Sequence, residues 1–249
     1  MRIQFSSCGV FILAMIFAAT GGTATAASVD EAEELAAAAA YDATNPTAPT
    51  VWAAEPPVHD GSPSGVVFFT DFEGNNGGGA GTLDWEWGSY AWSGAVCGYT
   101  PAPPVAPYSG TDMWGTVLND CYNNLGNNSN PCTNADPTDD SILTFIVDLT
   151  GLSEAWLYWW EWPDINLSFD WAEIRVNGNV VWQNCTGGYV APTAWIQQEV
   201  DISAYVGAPV TVTFHFLAST VVERGGWWID DLLITDAQVP VELQSFSID

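Results

Sequence analysis

The chain has 249 residues, 48% hydrophobic and only 13% charged, enough apolar material for one ordinary domain with tails and too much for an acidic disordered segment. Thirty acidic residues face three arginines and no lysine, for a formal net charge of −27. That balance argues against nucleic acid and anionic membrane surfaces as partners, since phosphate binding needs Lys and Arg, and it favours divalent cations; the alternative is an acidic surface suited to a salty or exposed habitat.

In chain order, Arg2 precedes an apolar run over residues 10–19, and Ala24-Thr25-Ala26 fits a cleavage site. Residues 1–27 therefore read as a signal peptide of a secreted or cell-surface protein, with an uncleaved N-terminal anchor as the alternative. The run is too short to cross a bilayer and no later segment is long enough, so no membrane span is expected after signal removal. Ser28 and Glu31 form a capping box ahead of an Ala-rich stretch, and from Asn45 a Pro/Thr linker follows, so residues 28–65 lie outside the domain.

Residues 66–236 read as the domain. A strand is predicted at 66–73, then a Gly/Asn turn at 75–81. In 83–92, Leu83, Trp85 and Trp87 alternate with Asp84 and Glu86, as in a half-buried strand or an ordered loop. Residues 100–107 are proline-rich and cannot form a central strand. A long irregular region runs on to Asp140, of a length that is usually functional. Strands are predicted at 143–149, 155–162, 170–176, 180–183, 195–200 and 210–216, with a hairpin across Asn177-Gly178. Ser203 is expected to cap a short turn ended by Gly207. Many short strands and no core helix predict an all-β fold, an antiparallel two-sheet sandwich with long loops. Residues 237–249 read as a tail or the start of a further module.

The last strand, Gly225-Gly226-Trp227-Trp228-Ile229-Asp230-Asp231-Leu232-Leu233-Ile234, is apolar on both faces, so it should be buried on both. Strict alternation places Trp227, Ile229, Asp231 and Leu233 on one face and Trp228, Asp230, Leu232 and Ile234 on the other, one aspartate per face. A buried carboxylate must be neutralised or paired, and protein cations are scarce here. A bound ion is the economical partner, and oxygen-only ligands point to Ca²⁺.

That strand resembles the closing G-G-x-x-I-D-D-x-x-I strand of MAM-like jelly-roll modules, which occur C-terminal to immune-inhibitor-A-type metallopeptidase domains and in bacterial surface and adhesin-like proteins. Residues 66–73 are similar to the family's opening D-F-E strand, 109–115 to its S-G-x-x-x-W turn, and 200–207 to its D-L-S-x-Y-x-G turn. The resemblance implies a jelly roll, concanavalin-like or galactose-binding-like, with first and last strands adjacent. It would bring Asp71 and Glu73 to Asp230 and Asp231, with Asp112 and backbone carbonyls completing a structural Ca²⁺ shell. The alternative is that one aspartate caps a turn and the other faces water. With two histidines and no H-E-x-x-H, the resemblance covers an accessory module, not a peptidase domain.

Fourteen tryptophans form a second signal. Of these, Trp85, Trp87, Trp160 and Trp162 are candidates for an exposed surface that stacks on sugar rings; the alternative is burial inside the sandwich. Apart from Cys8 in the leader, four cysteines remain, an even number that favours two disulfides. Cys121 and Cys132 flank a polar, turn-rich loop and are expected to pair, leaving Cys97 with Cys185; a zinc site is the rival, without any C-x-x-C. For catalysis, His59 lies in the linker and His215 on a strand with no nucleophile elbow. Glu161 and Glu173 could serve as a glycosidase pair. The expected function is a non-catalytic binding or adhesion module whose partner is an extracellular glycan or surface protein. A self-associating structural subunit is the alternative, and a jelly-roll glycoside hydrolase comes after it.

Overall fold

The computed structural model describes residues 65–97, 100–123, 140–166, 169–184, 190–219 and 223–239. The leader, nearly all of the 28–65 segment, most of the C-terminal tail, Cys132 and Cys185 lie outside the described residues.

Eleven strands are formed among them: β1 Val66–Thr70, β2 Ala80–Gly81, β3 Trp85–Ser89, β4 Asp112–Thr116, β5 Asp140–Asp148, β6 Trp156–Asp164, β7 Trp171–Val176, β8 Asn179–Asn184, β9 Ile196–Asp201, β10 Pro209–Leu217 and β11 Gly226–Thr235. One sheet runs β3-β4-β11-β6-β9, with β1 also paired to β11; the other runs β2-β5-β10-β7-β8. All pairings are antiparallel. The protein is thus an all-β, two-sheet sandwich of the jelly-roll type.

Alternation explains the core. In β10, Val210, Val212, Phe214 and Phe216 face inward, as their spacing predicts, against Leu157, Trp159, Trp227 and Ile229 of the opposite sheet. Phe214 touches both Trp159 and Trp227 across the sandwich, with ring centroids 6.0 and 5.8 Å apart. The β7–β8 hairpin turns through Asn177 at φ 49° and Gly178 at φ 80°, the two left-handed residues that a type I′ turn needs. First and last strands are neighbours: Phe68 opposes Ile234 and Thr70 opposes Leu232. The ambiguous stretch at 83–92 contains a strand, β3. Beside it, the short β2 emerges from what reads in sequence as a Gly/Asn turn.

Four expectations are corrected. Cys97 bonds Cys121, so neither the Cys121–Cys132 nor the Cys97–Cys185 pairing forms. The bond ties the chain shortly before the proline-rich segment to the loop that leaves β4. Ser203 caps nothing: it lies inside a single 3₁₀ turn, Ser203–Tyr205, its N–H donating to Asp201 Oδ1 while its Oγ accepts the Ala155 N–H. Trp85 is only 4% exposed, packed against Trp227 with centroids 5.5 Å apart. Strict alternation also fails in β11. Asp230 opposes Trp160 and Leu233 opposes Tyr158, so Asp231 and Leu232 together stand against the single residue Trp159. This is a β-bulge. After it, Leu232 and Ile234 join Trp227 and Ile229 in the main core, while Leu233 packs outward with Trp156 and Tyr158.

A carboxylate-lined strand switch as the candidate functional site

The bulge sits where β11 changes partner. Along one edge β11 pairs with β4 at Trp228 and Ile229, then with β1 from Leu232 onward. Between the two, at Asp230 and Asp231, that edge is covered by the turn that leads into β4. Asp231 takes the left-handed conformation, φ 45°, which an Asp tolerates better than a branched residue would. The extra residue turns both carboxylates toward one loop residue. Ser109 N–H donates to Asp230 Oδ2 at 3.0 Å and Ser109 Oγ donates to Asp231 Oδ1 at 2.8 Å. The two aspartates do not stand on opposite faces, as alternation alone would have them.

Glu73, just past β1, braces the same turn from the other side. Its Oε1 accepts the N–H groups of Thr111 at 2.7 Å and Asp112 at 2.8 Å. Gly110 makes room for it: a Cβ there would lie 2.1 Å from the Glu73 carboxyl carbon, and the residue has φ +51°. Asp71 is exposed and accepts the Glu73 N–H at 3.2 Å. The Asp112 carboxylate takes the Ser89 hydroxyl at 2.6 Å. The loop 109–112 therefore lies between four acidic side chains, Asp71, Glu73, Asp230 and Asp231, with Asp112 itself the fifth.

Electrostatics at this place are one-sided. Asp230 is fully buried, and burial pushes its carboxyl up to about 8 against the pull of the Ser109 N–H. Asp231 is raised as well, by burial first; the Ser109 hydroxyl bond opposes the shift, and the Asp71 and Glu73 charges add to it. An all-oxygen donor set of this kind suits a hard cation such as Ca²⁺, which takes about six to eight oxygens. Among the described residues no three His, Cys, Asp or Glu side chains stand close enough to hold a metal by themselves. Backbone and hydroxyl oxygens of the 109–112 turn would have to join the carboxylates.

The predicted aromatic surface is mostly covered. On the outer face of the β11 sheet, Trp162 is 7% exposed, and its Nε1 donates to Ala102 O at 2.6 Å. Trp160 is half-buried, with Tyr108 stacked on it at 3.9 Å and 12°. Trp87 is half-buried and donates to Phe72 O at 3.1 Å. What covers Trp160 and Trp162 is the proline-rich segment 100–108, whose position no feature of its sequence reveals. A second buried acid missed in sequence, Asp164, fastens that segment by accepting the Ala102 N–H at 2.6 Å and the Gly225 N–H at 3.0 Å.

The glycosidase candidates are not brought together. Glu161 is buried between the sheets and accepts from Trp227 Nε1 at 2.8 Å, Trp159 Nε1 at 3.3 Å and Gln198 Nε2 at 2.8 Å. Glu173 lies on the other sheet, paired with Arg175 on the face opposite the core residues Ala172 and Ile174. His215 is buried next to Thr213 Oγ1, 2.8 Å away. Among the described residues no helix is long and apolar enough to cross a membrane.

No family model matches the chain, so the MAM-like likeness rests on its motifs alone. Bacillopeptidase F of Bacillus subtilis (strain 168) is 27% identical over 172 residues, covering 67% of this chain and 10% of that protein. The chain thus spans about a tenth of the length of the curated relative it matches. Among solved structures, the CBM22-1 xylan-binding domain of Paenibacillus barcinonensis Xyn10C is similar at TM-score 0.38 and 9% identity, over 71% of this chain and 97% of that one. The K3 cleaved adhesin domain of Lys-gingipain from Porphyromonas gingivalis W83 is similar at TM-score 0.38 and 18% identity, over 69% and 99%. Likenesses this distant carry no conclusion about ligand or activity.

Proposed function

We propose that the chain is an extracellular, non-catalytic binding or adhesion module whose strand switch holds a structural Ca²⁺. The observation that carries this reading is the convergence of Asp230 and Asp231 on Ser109, opposite Glu73, with no cationic group among the charges that act on Asp231. Asp231, Glu73 and Asp71 would supply charged oxygens, and Asp230 would hold the turn that presents the rest. The ion supplies the positive charge that the protein lacks there. It would tie the first strand, the last strand and the β4 turn together, which is a folding role. The match to a tenth of Bacillopeptidase F supports an accessory module rather than a whole enzyme. The partner class is an extracellular glycan or surface protein. For a glycan, one accessible aromatic surface is the Tyr108 ring, 39% exposed, beside the half-buried Trp195, with centroids 6.3 Å apart.

Calorimetric titration of the EDTA-treated chain with Ca²⁺, alongside thermal melts with and without the ion, tests the metal. Saturable heat and a higher Tm are expected, both lost in Asp231→Asn; a flat titration with an unchanged melt would overturn it. Retention on insoluble polysaccharides, with loss in Trp195→Ala, tests the glycan; equal retention by that variant would move the binding surface elsewhere.

A further inference from the structure

The outer face of the β11 sheet carries an aromatic trough that holds a peptide, and that peptide belongs to the chain itself. The floor is Trp228 and Met113, both fully buried, with Trp162 beside them. Tyr90, Trp92 and Trp195 pack around this floor. Residues 100–108, Thr-Pro-Ala-Pro-Pro-Val-Ala-Pro-Tyr, lie along it. Three carbonyls at two-residue spacing are bound by three aromatic donors. Trp162 Nε1 donates to Ala102 O at 2.6 Å, Tyr90 OH to Pro104 O at 2.7 Å and Trp195 Nε1 to Ala106 O at 3.1 Å.

The chemistry of the trough selects its occupant. An indole N–H can only donate, and the Tyr90 hydroxyl donates here as well. Between its ends the surface therefore satisfies carbonyls and offers nothing to peptide N–H groups, whose burial without acceptors is costly. Proline keeps the carbonyl and removes the N–H. Pro101, Pro103, Pro104 and Pro107 stand in the segment, and Pro104 is buried. The N–H groups at the two ends of the trough meet carboxylates, Ala102 on Asp164 and Tyr108 on Asp230. At the middle, Val105 is 98% exposed and looks away from the floor. Residues 100–108 form no backbone–backbone hydrogen bond among the described residues, so side chains alone seat the segment.

We infer that this trough is a binding site for extended, proline-rich peptides, and that residues 100–108 are its built-in occupant. Recognition of this type uses a preformed extended chain on an aromatic-lined groove. The inference is separable from the calcium reading, since the trough's floor and donors include no strand-switch carboxylate and only the Tyr108 N–H at its end meets Asp230. The Cys97–Cys121 bond holds the start of the segment in place, so the internal peptide competes at an effective concentration in the millimolar range. An outside peptide of similar affinity gains access only when the internal one is displaced.

The test uses the full chain with residues 100–107 replaced by alternating Gly and Ser, and a synthetic peptide copying residues 100–108. Binding is read by tryptophan fluorescence and calorimetry, with near-UV circular dichroism reporting an intact core. Saturable binding by the cleared variant, at least tenfold tighter than by the wild-type chain, is the expected result. The same peptide with its prolines replaced by glycine should bind at least tenfold more weakly. A folded cleared variant that takes up no peptide, or equal binding of the glycine peptide, would overturn the inference. Should the cleared variant not fold, the Pro103→Gly/Pro104→Gly double variant keeps the test open through amide exchange at Ala102, whose N–H donates to Asp164 Oδ2. Exchange at least tenfold faster than in the wild type is expected, and unchanged exchange would overturn the role given to proline.

Discussion

Trp227 and Glu161, 66 residues apart, meet in the centre of the sandwich, where the indole N–H donates to Glu161 Oε2 at 2.8 Å. The same oxygen accepts from Trp159 and its partner oxygen from Gln198, so a carboxylate in a tryptophan core is satisfied by three neutral donors and no cation. Burial still raises its pKa, with the Trp227, Gln198 and Trp159 bonds acting against it.

This arrangement assigns Glu161 a structural role that mutation can separate from catalysis. Glu161→Gln keeps an acceptor for both indoles, and Gln198 can turn its amide to meet the new NH₂. Its cost should be within about 1 kcal/mol near neutral pH. Glu161→Leu strands two buried indole N–H groups and should cost about 2–4 kcal/mol. Denaturant unfolding of the two variants checks this. Equal losses would mean that the acceptor is not what matters.

Gly110 gives a second prediction. Any Cβ there collides with the Glu73 carboxyl, and the backbone is left-handed. Gly110→Ala should therefore push Glu73 off the Thr111 and Asp112 amides and destabilise the domain by about 1–3 kcal/mol. Glu73→Gln, which keeps an acceptor oxygen but loses the charge, should cost less in metal-free buffer and weaken Ca²⁺ binding at least tenfold. Paired melts and calcium titrations separate the two effects; a Gly110→Ala chain as stable as wild type would remove Glu73 from the turn.

These sites show what the sequence could and could not disclose. Strand periodicity exposed β5 to β11, because inward residues such as Val212 and Phe214 recur at every second position. The closing motif placed β1 beside β11. The bulge was hidden, because an extra residue against Trp159 changes no composition; only the backbone shows that Asp230 and Asp231 turn together to Ser109. The tryptophan surplus was visible, but its distribution was not. Trp85 and Trp162 are covered by partners far away in sequence, Trp227 and Ala102. Proline told where residues 100–107 could not lie, inside a sheet, and was silent on where they do.

The disulfide is a third case of hidden pairing, since four cysteines allow three connectivities. Peptide mapping under non-reducing conditions should recover Cys97 joined to Cys121, residues 24 apart in sequence. The Cys97→Ser/Cys121→Ser variant should lose about 2–4 kcal/mol. It should also exchange the Ala102 amide faster, because one anchor of the segment over the trough is gone. Recovery of Cys121 joined to Cys132 would overturn the connectivity.

Stability should fall as pH rises, in the opposite sense to a protein held by surface ion pairs. Asp170 is fully buried, accepts the Tyr122 hydroxyl and the Ser219 N–H at 2.7 Å, and titrates at about 7 because burial outweighs those bonds. Its unfolded value is about 3.9. Between roughly pH 4 and 7 the folded state holds a proton that the unfolded state has released, so unfolding grows easier with each pH unit and levels off above the folded value. Asp164 and Arg224 also act on Tyr122, so the Asp170 contribution has to be isolated by substitution. In EDTA, the wild-type chain should melt several degrees higher at pH 5 than at pH 8, about 5 °C for a domain of this size. Asp170→Asn cannot bind that proton and should show a visibly flatter dependence over the same range. If the two chains keep parallel pH profiles, the proton uptake resides elsewhere, with Asp230, pushed up to about 8, the next to be replaced, and then Glu161 and Asp84, both also raised by burial.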